Sequence, residues 1–185
     1  MAMDCKQHGL GPEPKVGFDI GRVIIHAGDG AQDTSFLSGN DDDAMRTPPM
    51  KGAFEVIAEV NALVGGRTWI ISKCGPNIAR RSLRWLRHHR FYEHTGMRED
   101  RVIFCRKRPE KAPHCLRLGL DVFVDDRPDI HQTLAGIVGV RVLFGPQKRG
   151  RQTPPGVLAA LDWDEVRQLL IPLLCPGHEG ASSLG

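Results

Sequence analysis

No stretch of the 185 residues approaches the ~20 consecutive apolar residues that span a bilayer, so neither a membrane-crossing helix nor a membrane partner is expected. The residues from Met1 to Pro14 are polar and rich in proline and glycine, without the apolar centre of a secretory signal. The five cysteines, Cys5, Cys74, Cys105, Cys115 and Cys175, are odd in number and scattered, with no CxxC pair. That excludes a disulfide framework and a zinc motif of the CxxC kind. A reducing, cytoplasmic setting with free thiols is the expectation, with Cys105 and Cys115 as core residues rather than nucleophiles. Neither sign of charge dominates: a formal net charge of +3 is too mildly basic to argue by itself for nucleic acid. Internal repeats, heptad runs and low-complexity tracts are missing too.

What remains is a chain with 41% hydrophobic and 25% charged residues, long enough for one compact domain with a proper core. Strand and helix signals alternate from Lys15 to Gly145, the pattern of a parallel sheet wrapped by helices. Strands are expected at Val16 to Phe18, Thr68 to Ile71, Arg101 to Cys105, Val122 to Val124 and Val140 to Phe144. Helices are expected at Gly52 to Leu63, at Asn77 to His89 with Asn77 as cap, at Glu110 to Leu118 and, briefly, at Ile130 to Leu134. The segment Gly28 to Pro49 is too polar for a core element and reads as a long loop or small flap, with Asp41 to Asp43 as its solvated tip. A basic linker, Gln147 to Pro155, leads to an amphipathic helix, Trp163 to Leu174, that covers a flank of the sheet. The expected organisation is a flexible 1–14, a core 15–146, a linker and packed helix 147–175 and a flexible tail 176–185.

Several apolar runs stop at a polar residue, which is how a buried parallel strand delivers a side chain to the carboxyl edge of its sheet. Val16-Gly17-Phe18 ends at Asp19, which can ligate a metal while the nearby Gly21 lends its carbonyl; a turn-capping aspartate is the plainer alternative. Trp69-Ile70-Ile71 ends at Ser72, placed before a Gly-Pro turn into a helix, where a hydroxyl and free N–H groups can hold phosphate oxygens. Lys111 opens a helix, where a cation opposes the dipole unless an anion offsets it. Val122-Phe123-Val124 ends at Asp125-Asp126, adjacent carboxylates that repel unless a cation or hydrogen bonds relieve them. Asp125 is read as a metal ligand and Asp126 as its partner or as a helix cap. A basic stripe, Arg80, Arg81, Arg84, Arg87, His88, His89 and Arg90, is either a solvated helical face or a track for nucleic-acid phosphates.

In this order, Asp19, Ser72, Lys111 and Asp125-Asp126 resemble the haloacid dehalogenase superfamily of phosphohydrolases, over roughly Lys15 to Gly145. A response-regulator receiver carries its acidic pair on the first strand and does not fit. The resemblance implies a Rossmann-like three-layer α/β sandwich with a parallel five-stranded sheet, and Asp19 as nucleophile. It also implies Lys111 as the catalytic cation, Ser72 with Lys73 and Arg22 against the substrate, and a magnesium ion (Mg2+) held by Asp19, Gly21, Asp125 and Asp126. The run Arg108 to Lys111 with Val122 to Arg127 further looks like deoxyribonucleotidase-type phosphatases. Small-molecule members carry a lid, whereas the gaps here are short or polar, so no substantial cap domain and an open site are expected. A phosphorylated metabolite or nucleotide is the implied substrate, with monomer and oligomer both open. One departure matters: the family places a second aspartate, its general acid, where this chain has Gly21. General acid catalysis contributes ~10²- to 10⁴-fold, so a weakened phosphate-binding module is an alternative, as is a nucleic-acid-end phosphatase using the arginine stripe.

Overall fold

The computed structural model describes residues 10–26, 37, 39–148 and 152–175. Of the tails expected to be flexible, residues 1–9 and all of 176–185 lie outside the described residues, as does most of 27–38. Six strands form one sheet: β1 (Val16–Phe18), β2 (Thr68–Lys73), β3 (Val102–Cys105), β4 (Val122–Asp125), β5 (Val140–Phe144) and β6 (Leu158–Ala160). All pair in parallel, in the order β3-β2-β1-β4-β5-β6. The Rossmann-like α/β class holds, with one strand more than expected. β6 is short and adds only at the edge offered by β5, so its pairing is supplied by the neighbour and not by its own pattern.

Among the described residues seven helices flank the sheet: α1 (Asp41–Arg46), α2 (Ala53–Leu63), α3 (Pro76–His88), α4 (Phe91–Thr95), α5 (Lys111–Leu118), α6 (Pro128–Thr133) and α7 (Trp163–Leu174). Strand residues alternate between two cores. Val16, Phe18, Ile70, Val122, Val124 and Val142 join the larger core beneath α2, α3 and α7, while Ile71 and Phe123 join a smaller one with α5 and α6. Gly17 faces the smaller core, where a Cβ would lie 2.6 Å from both Leu120 Cδ1 and Phe123 Cδ2. Glycine there leaves room for the Leu120 and Phe123 side chains against β1. No helix among the described residues is long and apolar enough to cross a membrane.

Besides shifts of one or two residues at element ends, such as those of β2, β4 and α6, three helices differ from the sequence reading. α3 starts at Pro76, so Asn77 lies inside the helix and does not cap it; proline is preorganised for the first helical position. A short helix, α4, follows Arg90 where none was expected. The acidic run is not a loop tip: Asp41, Asp42 and Asp43 form the first turn of α1, where negative charge suits the helix dipole. Asn40 caps that turn by accepting from Asp43 N at 2.8 Å, and Ala44 and Met45 are buried.

The basic stripe explains why a polar segment docks. Arg81 Nε lies 2.9 Å from Asp41 Oδ1, Arg84 also pairs with Asp41, and Arg80 stands 3.9 Å away. Trp85 Nε1 donates to Thr47 O at 2.7 Å, and His89 Nε2 to Met45 O at 2.8 Å. Arg87 pairs with Glu99. The stripe is thus engaged with this chain's own carboxylates and carbonyls.

Candidate active site

Strand order reverses at β1, whose neighbours β2 and β4 lead away in opposite directions, and open α/β sheets bind ligands in the crevice at the carboxyl ends of such strands. A cleft of about 80 Å³ opens there, and Asp19, Gly21, Arg22, Ser72, Lys73, Lys111 and Asp126 all line it. Asp125 is the one sequence-predicted residue beneath it, with 0% exposure.

Each side chain reaches the cleft for a local reason. Asp19 continues the β1 ladder by one step, its N–H donating to Val124 O at 2.9 Å, which sets its carboxylate beside the end of β4. The chain then turns sharply: the N–H groups of Ile24 and Ile25 both donate to Ile20 O at 2.9 Å, and Ile20, Val23, Ile24 and Ile25 are buried. Arg22 sits at φ 62, a left-handed conformation that a non-glycine residue keeps only when its surroundings enforce it. Those surroundings include α7, whose buried Trp163 packs against Phe18 and donates from Nε1 to Val23 O at 2.7 Å. Ser72 and Lys73 are the last residues of β2, which runs further than the sequence suggested, and Ser72 is 2% exposed. A 3₁₀ turn, Arg108–Glu110, precedes α5 and sets Lys111 at the helix start, pointing inward.

Lys111 Nζ stands 2.6 Å from Asp125 Oδ2 and 3.0 Å from Asp19 Oδ1. Burial alone would disfavour its charge, but Asp125 and Asp19 more than offset that, so its pKa lies above the ordinary lysine value. Asp125 Oδ1 accepts from Arg127 N at 3.0 Å. Burial pushes the Asp125 carboxyl up despite Lys111, and burial together with Asp125 and Asp19 pushes Asp126 up. The cause is crowding in a buried place: one oxygen of each of the three carboxylates lies within 4.8 Å of the others, and Lys111 and Arg22 offset their repulsion only in part.

The residues suit a hard divalent cation. Carboxylate oxygens are the donors magnesium and calcium prefer, and Asp19, Asp125 and Asp126 each bring one to within 4.8 Å of the others. A cation between Asp19, Asp125 and Asp126 would relieve their repulsion.

Sequence reasoning missed other cleft residues. Arg108 lies one helical turn before Lys111, and Arg127 directly follows the acidic pair; those positions were the available signal. Cys74 also lines the cleft, but burial first and Asp19 second push its thiol up to about 11, so it is not a ready nucleophile. Burial likewise raises Cys105, and lifts Cys115 to about 12, in keeping with core thiols. His131 went unnoticed: it is fully buried behind β4, with burial pulling its pKa down to about 4, so the ring is neutral.

The fold is shared with solved structures of haloacid dehalogenase-superfamily hydrolases. Among solved structures, a D,D-heptose 1,7-bisphosphate phosphatase from B. bronchiseptica, complexed with magnesium and phosphate, superposes with a TM-score of 0.57 at 18% identity. That match covers 85% of this chain and 98% of the other. A Had-superfamily hydrolase from Ehrlichia chaffeensis gives 0.55 at 12% identity, covering 88% and 98%. A second D,D-heptose 1,7-bisphosphate phosphatase, from Burkholderia thailandensis, gives 0.54 at 17% identity, covering 84% and 96%. No protein-family model and no curated sequence matches the chain. At such identities the likeness establishes the fold: this chain has the haloacid dehalogenase fold.

Proposed function

We propose that the protein is a magnesium-dependent phosphohydrolase that cleaves phosphate monoesters through an aspartyl-phosphate on Asp19. The observation that carries this reading is the convergence of Asp19, Asp125 and Asp126 within 4.8 Å, beside buried Lys111, at the floor of the cleft. Magnesium held by these carboxylates, with the Gly21 carbonyl as a further donor, supplies Lewis-acid polarisation of the phosphoryl oxygens. Asp19 attacks phosphorus, and its new O–P bond forms as the ester P–O bond breaks. The departing oxygen takes its proton from solvent, because Gly21 has no side chain to give one. Lys111 places positive charge beside the equatorial oxygens, and the Ser72 hydroxyl with the first N–H groups of α3 holds them. Water then attacks the phosphorus, releasing inorganic phosphate and restoring the Asp19 carboxylate.

A recess of about 80 Å³ is well below the ~300 Å³ at which small-molecule pockets begin, so it takes the phosphoryl group and leaves the rest of the substrate outside. Arg22, Lys73, Arg108 and Arg127 line that mouth and suit a phosphorylated metabolite or nucleotide whose remainder is itself anionic. Two of the neighbours are phosphatases of a doubly phosphorylated sugar, which accords with such a substrate. Free, buried Cys74, Cys105 and Cys115 accord with a reducing, cytoplasmic setting.

The test is phosphate release from a panel of aryl and alkyl phosphates with and without magnesium. Aryl phosphates are expected to be cleaved only with magnesium, with alkyl esters much slower, and Asp19→Asn should lose about 10⁴-fold or more. Full magnesium-dependent activity in Asp19→Asn would overturn the assignment. Gly21 favours one other reading, a phosphate-binding module with little turnover. That reading wins if the wild type binds magnesium and inorganic phosphate yet cleaves neither class. Gly21→Asp should raise alkyl-ester turnover by roughly 10²-fold, since a positioned acid contributes at least that much.

A further inference from the structure

The acidic pair is fastened from behind by side chains remote from the cleft. Pairing of β4 with β5 ends at Asp125 opposite Leu143, so beyond that point the sheet no longer dictates where the chain goes or where Asp126 faces. His131, on α6, reaches back and donates from Nε2 to Asp125 O at 2.9 Å. Gln147, after β5, shares its Nε2 amide among Asp126 O at 3.2 Å, Phe144 O at 3.3 Å and Gly145 O at 3.3 Å. The two successive peptide carbonyls of Asp125 and Asp126 are thus each held by a different side chain. His131 is itself held in place: Arg141 Nη1, from β5, donates to its carbonyl at 2.6 Å.

The environment of His131 shows that packing alone does not account for it. The residue is fully buried on α6, whose Ile130 belongs to the smaller core, and its Nδ1 has no hydrogen-bond partner. An unpaired buried nitrogen is unfavourable, and leucine would fill the site without one. What histidine offers and leucine does not is the Nε2 bond to Asp125.

We propose that His131 and Gln147 are positioning residues, which hold the Asp125 and Asp126 carbonyls so that both carboxylates converge on Asp19 to bind magnesium. This rests on the metal-dependent reading of the site. Neither residue touches the ion or the substrate; each acts through the backbone that carries the ligands. Partners of ligating groups typically change metal affinity by ~10- to 100-fold when removed, because the ligands then sample geometries that do not bind.

The experiment is calorimetric titration of magnesium into the full chain, with no substrate and no turnover. His131→Leu and Gln147→Met, which keep volume and remove the donor, should each weaken binding by about 10-fold or more. His131→Gln retains an N–H donor and should recover most of the loss, which a purely space-filling role would not produce. Denaturation midpoints measured without metal should change little in Gln147→Met, so that if His131→Leu fails to fold the half-buried loop residue still carries the test. Variants that bind magnesium within about 3-fold of wild type would overturn the inference while leaving the metal site standing. A wild type that binds no magnesium would overturn the metal reading, and this inference with it.

Discussion

Two ionic clusters in this molecule have opposite proportions. At the cleft, three carboxylates, Asp19, Asp125 and Asp126, crowd together with Lys111 paired to the first two; where α1 meets α3, Arg80, Arg81 and Arg84 share one carboxylate, Asp41. Both are unbalanced, yet only the first has consequences for chemistry. Lys111 and Asp125 side chains are 3% and 0% exposed, whereas those of Arg80 and Arg84 are 61% and 46% exposed. Water and salt compensate the surplus guanidinium charge at the surface, while the surplus carboxylates within are relieved only by a bound cation or by taking up protons. The pKa directions say the same: the Arg81 hydrogen bond pulls Asp41 down, while burial pushes Asp125 and Asp126 up.

The largest expected effect breaks the buried cluster. Lys111→Met leaves Asp19 and Asp125 without their paired cation and should cost about 3–5 kcal/mol at neutral pH, as loss of one partner of a buried pair commonly does. Urea denaturation measures it, and added magnesium should recover much of the loss. An unchanged midpoint would mean that the carboxylates take up protons at no expense to folding.

A smaller effect follows from pH. A carboxylate whose folded pKa is raised binds its proton more tightly folded than unfolded, so its contribution is fully present below the unfolded value of 3.8 and is lost as pH rises through the folded pKa. His131 acts in the opposite sense, its depressed pKa costing stability as pH falls below 6.5. Above pH 6.5 His131, and His89 whose pKa burial also lowers, become increasingly neutral in the unfolded state as well, and the acidic pair comes to dominate toward pH 8. Between pH 6.5 and 8 the metal-free protein should therefore lose stability, and saturating magnesium should flatten the slope. A midpoint that rises over this interval without metal would contradict the raised pKa values.

The smallest effect lies at the surface. Asp41→Asn should shift the melting temperature little, and less still at high salt, because its partners remain solvated. The same substitution should release Arg80, Arg81 and Arg84 and steepen the salt dependence of adventitious binding to polyanions, read by retention on a heparin column. A shift as large as that of Lys111→Met would show that α1 docking, and not burial, sets the importance of a cluster.

Much of the fold was legible because its signals are local. Apolar runs ending in Asp19, Ser72 and Asp125 mark strand ends, and the spacing of Val166 and Leu170 marks one face of α7. α1 was illegible for the converse reason. Its buried face is only Ala44 and Met45, and the groups that hold it, Arg81, Trp85 and His89, lie some forty residues away on α3. Sequence reads the acidic run as a solvated tip and the stripe as a solvated face or a nucleic-acid track, whereas Arg80, Arg81 and Arg84 of the stripe meet Asp41 of the run. His131 and Gln147 were passed over likewise, since an isolated histidine and a linker glutamine carry no periodic signal.

The order of Asp19, Ser72, Lys111 and Asp125-Asp126 along an alternating strand and helix pattern was determined by sequence alone, because hydrophobic periodicity and turn chemistry act over a few residues. Tertiary structure decided the rest: that three carboxylates meet within 4.8 Å beside Lys111, that the arginine stripe is turned to holding α1, and that the acidic pair is braced by His131 and Gln147. These are distances between residues far apart in the chain, and burial, which no local pattern encodes, sets how strongly their charges act.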